Sequence, residues 1–181
     1  MKNSKIPLHA ETWQSETIKC PLELIYAFFE YTNPAIVKNC LTKMLKNAIN
    51  EKCKPYKNPE ESLFIFNLLR SMIRAAYKMY CKPNKYFSSD VMKSFDTNTY
   101  HLFIGNLAYK EYINLYFLFK SVFKEQSLQQ IENDLADITE HVIGKCASPP
   151  SDKICISFIN INRLLDACWL ICNRKKNIKD V

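Results

Sequence analysis

PEESLFIFNLLRSMIRAAYKMYC, residues 59–81, decides the fold class of this chain. On a 3.6-residue wheel Glu60, Asn67, Arg70, Ser71, Arg74 and Lys78 fall within one sector of about 100°, and almost everything else is apolar. A helix that is apolar around most of its circumference belongs in the middle of a helical domain. Its start is written in the sequence: Asn58 caps, Pro59 suits the first helical position, and Glu61 occupies the capping-box position. Its end is written too, because Pro83 biases Lys82 away from the helical region.

Working outward from this stretch, more helices appear. Pro21 opens LELIYAFFEY. Asn33-Pro34 opens a helix to about residue 50, with Ile36, Val37, Cys40, Leu41, Met44, Leu45 and Ala48 on its core side. A short helix is expected over 90–95 and a long one over about 98–124. Ser127 and Gln130 form a second capping box, followed by the stripe Leu128, Ile131, Leu135, Ile138 and Val142, with Gly144 at the C′ position. Residues 148–151, SPPS, read as a linker within 146–152. Beyond it Ile154, Ile156 and Phe158 alternate like a strand, but Ile154, Phe158, Ile161, Leu165, Cys168 and Cys172 have helical spacing and cover more residues. The expected architecture is all-α: an irregular bundle of six or seven helices or a short helical-repeat-like array. Residues 1–20 read as an extended arm pinned by Trp13, 21–172 as one domain, and 173–181 as a polar tail.

Composition narrows the chemistry. The chain has 181 residues, 48% of them hydrophobic, and only two glycines, Gly105 and Gly144. Neither GxGxxG nor GxxxxGK[ST] occurs, so nucleotide hydrolysis through those cradles is excluded. The first twenty residues lack the apolar run of a secretory signal. The apolar stretch 102–123 is interrupted by Asn106, Lys110, Glu111, Asn114 and Lys120, so no membrane span is expected. An intracellular location, cytoplasmic or nuclear, with reduced thiols follows as the expectation.

The eight cysteines, at 20, 40, 53, 81, 146, 155, 168 and 172, contain no CxxC pair. Zinc needs four converging ligands at tight spacing, so the cysteines read as small hydrophobes, with no metal and no cofactor. Three histidines, His9, His101 and His141, give no local signature of nucleophilic catalysis. Glu132, Asp134, Asp137 and Glu140 read as the solvated face of an amphipathic helix. An enzyme is not expected.

The formal charge is +7, unevenly spread: residues 1–90 carry 14 Lys/Arg against 8 Asp/Glu, and 91–150 carry 5 against 7. A chain of this charge favours an acidic partner. Arg70, Arg74 and Lys78, at i, i+4 and i+8, form one cationic stripe. On the long helix, Phe117 falls among Asn106, Lys110, Asn114, Lys120, Ser121 and Lys124, as a large aromatic among polar neighbours. The expected role is a non-enzymatic protein-interaction module within a larger complex. Arg70, Arg74 and Lys78 would meet an acidic surface and Phe117 would act as an apolar anchor. The alternative is a nucleic-acid-associated protein, with Lys52, Lys54, Lys57, Lys82 and Lys85 on phosphates and Tyr56 and Tyr86 stacking on bases. In size, helical class and AT-rich residue usage the chain also resembles a divergent viral Bcl-2-like protein. That resemblance would imply a host-protein partner. The Asn-Trp-Gly-Arg groove motif of that family is absent, neither Trp13 nor Trp169 stands in its place, and no residue carries over.

Overall fold

A computed structural model describes residues 6–14, 17–50, 58–87, 105–144 and 150–179, with side chains of the last helix described through Arg174. Among these residues every regular element is helical. A 3₁₀ turn at Ala10–Thr12 precedes α1 (Pro21–Tyr31), α2 (Pro34–Ile49), α3 (Pro59–Tyr80), α4 (Pro83–Tyr86), α5 (Tyr109–Ile113), α6 (Leu115–Glu125), α7 (Leu128–Ile143) and α8 (Ile154–Lys179). The all-α bundle is what the sequence pattern requires.

Helix α3 is the centre. It packs against α1, α2, α6, α7 and α8 and against the N-terminal 3₁₀ turn. Leu68, Leu69, Met72, Ile73, Ala75, Ala76 and Met79 are fully buried, so its breadth of apolar surface is used on several neighbours at once. The caps form as the sequence specifies. The Asn58 side chain accepts from the Glu61 N–H at 3.4 Å, Asn33 from Ala35 at 2.8 Å and Ser127 from Gln130 at 3.2 Å. Each satisfies a backbone donor the helix leaves open.

Four expectations change. The long helix over 98–124 is broken: the residues to 104 lie outside those described, and Asn114 (φ −134°, ψ 101°) separates α5 from α6. The Asn114 side chain accepts from the Tyr116 N–H at 3.1 Å and recaps the chain as α6 begins. The last helix runs to Lys179, past the expected end at 172, and Arg174 is buried there with its guanidinium 5.0 Å from the Tyr112 ring. Ile36, expected on the core side, is exposed in the first turn of α2, while the next residue, Val37, is fully buried. Gly144 ends α7 in extended rather than left-handed backbone (φ −113°), so glycine's special freedom is not needed there. The expected helix over 90–95 lies outside the described residues.

Gly105 does need to be glycine. Its φ is +46°, and a Cβ there would come within 2.6 Å of Asp166 Oδ2. That closeness lets the next residue, Asn106, donate its backbone N–H (2.9 Å) and its amide (3.1 Å) to Asp166, which also pairs with Lys38. One buried-edge carboxylate on α8 thereby ties the loop before α5 to α2.

A second polar seam joins α5, α6, α7 and α8. Arg163 donates to Glu111 at 2.6 Å, to Ser121 at 3.0 Å and to Asn160 at 3.2 Å. Asn160 donates to Gln126 at 2.9 Å, and Gln126 donates to Ser157 at 2.8 Å. Ser157 donates in turn to Asp134. Because each member is partnered, burial costs little and the helix register is fixed. The seam also corrects the reading of α7: Asp134 is buried and bonded, not part of a solvated face.

Candidate cationic pocket

The predicted cationic stripe of α3 divides in two. Arg74 is 8% exposed and grips Glu132 of α7 through two bonds, Nε to Oε1 and Nη2 to Oε2, the latter 3.0 Å. Its third contact, Nη1 to the Pro7 carbonyl at 3.2 Å, fastens the N-terminal arm. Arg70 Nε lies 3.8 Å from the same Glu132, with its guanidinium 5.8 Å from the Phe66 ring centroid. Arg74 is therefore committed to an internal carboxylate, and Arg70 stands beside it at ion-pair distance with its Nε making no hydrogen bond. Ser71, on the same stripe, accepts from Trp13 Nε1 at 2.9 Å. The upper two-thirds of the stripe is an internal seam that seats the arm and α7.

Lys78 is the exception, and the local sequence explains why. The helix stops at Tyr80, Cys81 stays helical, and Lys82 before Pro83 leaves the helical region (φ −131°, ψ 62°). The chain folds back into the single turn of α4, which carries Lys85 and Tyr86. Phe87 anchors that turn against α6, with ring centroids 5.0 Å from Phe119 and 5.4 Å from Tyr116. Tyr77 and Tyr80 hold the end of α3 to the same helix through Phe123, at 5.1 and 5.4 Å. The strand of chain entering α1 closes the other side.

The result is a cavity of about 340 Å³ lined by Lys19, Cys20, Pro21, Lys78, Cys81, Lys82, Lys85 and Tyr86. Four of the lining residues are lysines, Lys78 half-buried and Lys19, Lys82 and Lys85 exposed. Among the described residues none of the four is in an ion pair, whereas Lys38, Arg70, Arg74 and Arg163 all are. Burial, and then the charge of Lys82, hold the Lys78 amine below its usual range. Lys85 sits 5.2 Å above the Tyr86 ring. The C-terminus of α3 offers about half a negative charge, which offsets only a fraction of the four.

Burial pushes the Cys81 thiol up, despite the Tyr77 hydrogen bond and the Lys82 charge that favour the thiolate. Burial likewise raises Cys40 and Cys168. Among the described residues no three His, Cys, Asp or Glu side chains converge as metal ligands. Residues 154–174 of α8 are long and apolar enough to cross a membrane, but most of that surface is buried inside the fold.

Compared with protein-family models, with curated proteins and with solved structures, the chain matches none.

Of the residues singled out in the sequence, Lys78, Lys82, Lys85 and Tyr86 meet at this cavity, while Arg70 and Arg74 do not. Tyr86 is 8% exposed, so it forms a wall and offers no open face on which a base could stack. Phe117 on α6 is 47% exposed. Lys52, Lys54, Lys57 and Tyr56 lie outside the described residues. Sequence reading missed Lys19 and Cys20. Nothing local marks them; only the helix start at Pro21 hinted that the preceding residues would be held in place.

Proposed function

We propose that this chain is a non-enzymatic helical interaction module, working inside the cell as part of a larger complex, whose contact site for an acidic partner is the lysine cavity at the end of α3. One observation carries the reading. Lys38, Arg70, Arg74 and Arg163 each face a carboxylate and the buried Arg174 meets the Tyr112 carbonyl, whereas the four lysines around this cavity form no ion pair among the described residues, so four unmatched charges lie together where a partner can reach them. A concave cluster of like charge focuses such a field and speeds encounter with an acidic surface. The exposed Phe117 supplies an apolar anchor elsewhere on the surface, of the kind that carries much of an interface's energy.

The test is binding of an Asp/Glu-rich peptide to the full chain, by fluorescence anisotropy at about 0.15 M salt. Reversing Lys78 and Lys82 to Glu should abolish binding while the far-ultraviolet helical signal is kept. Reversing Arg74 instead should unfold or loosen the protein. Peptide binding that survives the Lys78/Lys82 reversal sinks the proposal.

The second reading, association with nucleic acid, is favoured by the same unpaired lysines. It predicts affinity for generic single strands that falls steeply with salt. The buried Tyr86 removes one of its two stacking rings, which leaves the acidic-partner reading stronger.

A further inference from the structure

We infer that the lysine cavity is a binding site for a compact polyanion bearing clustered phosphate groups, such as a short oligophosphate. The inference rests on the reading that this cavity meets an external anion, and it names the chemistry of that anion.

The geometry distinguishes phosphate clusters from an acidic peptide. Lys19 comes from the arm, Lys78 from the last turn of α3, Lys82 from the connection and Lys85 from α4, so four lysines from four parts of the chain line one concavity of about 340 Å³. Carboxylates along an extended peptide are separated by about 3.3 Å per residue and alternate in direction, so few can enter one concavity. Adjacent phosphates put several charges and many acceptor oxygens within one small volume. Each terminal phosphate offers three strong acceptors and each internal one two, which suits ammonium groups that each carry three donors.

Two further features of the walls agree. The N-terminus of α1 lines the cavity at Cys20 and Pro21, and Cys20 makes no side-chain cap bond, so the partial positive charge of that helix end adds to the field. Glu23, in the first turn of α1, is exposed and does not line the cavity. Lys78, half-buried beside Lys82, is also held in a state that an anion would relieve, because an anion favours the charged amine that burial and Lys82 disfavour.

The experiment is calorimetric titration of the full chain with inorganic tripolyphosphate at about 0.15 M salt, with the Glu-rich peptide run in parallel. Tripolyphosphate should bind with near 1:1 stoichiometry. Lys78→Ala and Lys82→Ala should each weaken it at least about tenfold, as expected for loss of one charge-assisted contact. Lys124→Ala, at an exposed lysine on α6, should leave it unchanged. Equal weakening by all three variants, or no binding by the folded wild type, overturns the inference. If the peptide still binds through Lys78 and Lys82 while tripolyphosphate does not, the phosphate inference falls and the docking reading stands. If neither ligand binds, both fall. Circular dichroism of every variant keeps a folding failure from passing as a loss of binding.

Discussion

The guanidinium of Arg74 and the carboxylate of Glu132 meet edge to edge, two nitrogens facing two oxygens, across the contact between α3 and α7. Their side chains are only 10% and 14% exposed, so this pair is shielded from solvent and salt. Its partners are fixed by the fold: Arg70 flanks the same carboxylate, and the remaining nitrogen, Nη1, donates to the Pro7 carbonyl. Arg74→Met should cost about 3 kcal/mol, because it strips Glu132 of its main partner in a poorly hydrated place. Arg70 softens that loss. The double variant Arg74→Met/Glu132→Leu should be much less destabilised than the sum of the single changes. A urea double-mutant cycle giving no coupling would show the pair to be incidental.

Gly105→Ala should destabilise the protein by about 1–3 kcal/mol. Two effects combine: a left-handed φ of +46°, and a new methyl within 2.6 Å of Asp166 Oδ2. The damage should spread to Lys38, which shares that carboxylate. Chemical denaturation gives the cost, and Gly105→Asn, which tolerates the left-handed region better, separates backbone strain from the clash.

Lys78→Met should lose anion binding and yet not weaken the fold. The charged amine is disfavoured in the folded state, chiefly by burial and then by Lys82, so at neutral pH it opposes folding. Replacing it should stabilise by about 0.5 kcal/mol, the scale of one screened surface charge contact. The folded amine releases its proton before the unfolded one does, so stability of the wild type rises as pH climbs toward 10.5, and the gap to Lys78→Met should close there. A melting temperature that drops on substitution would mean that Lys78 serves the fold instead.

Tyr26 gives a pH dependence of opposite sign. Burial, followed by the neighbouring Cys172 and Cys20, pushes its phenol from 10.0 up to about 12. The phenol stays neutral in the folded chain where it would ionise in the unfolded one. Its contribution is complete below pH 10 and disappears as pH rises to about 12. Tyr26→Phe should therefore show a shallower loss of urea midpoint across that window than the wild type. Parallel curves would place the alkaline transition elsewhere.

These outcomes separate what is local from what is not. Pro59, Asn58 and Pro83 fix the ends of α3 through capping and proline sterics, and the width of its apolar surface fixes its central place. Those effects act within a few residues or depend only on periodicity, so the sequence carries them in full. The break at Asn114 was harder to see, because an asparagine inside an apolar run is compatible with a continuous helix until its side chain turns to cap Tyr116. Asp134 looked solvated for a similar reason: helical spacing gives its direction, and only Gln126 and Ser157 make that direction an interior one.

The stripe of Arg70, Arg74 and Lys78 shows where the sequence stops. By itself it determined that three cations share one face of a central helix. Only the tertiary structure decided their fates, since Glu132 stands 58 residues from Arg74, binds it through two hydrogen bonds and lies 3.8 Å from Arg70. The same folding brings Lys19 from the arm to Lys78, Lys82 and Lys85, so that the four line one cavity. Electrostatic pairing depends on distance in space, which helical periodicity does not encode.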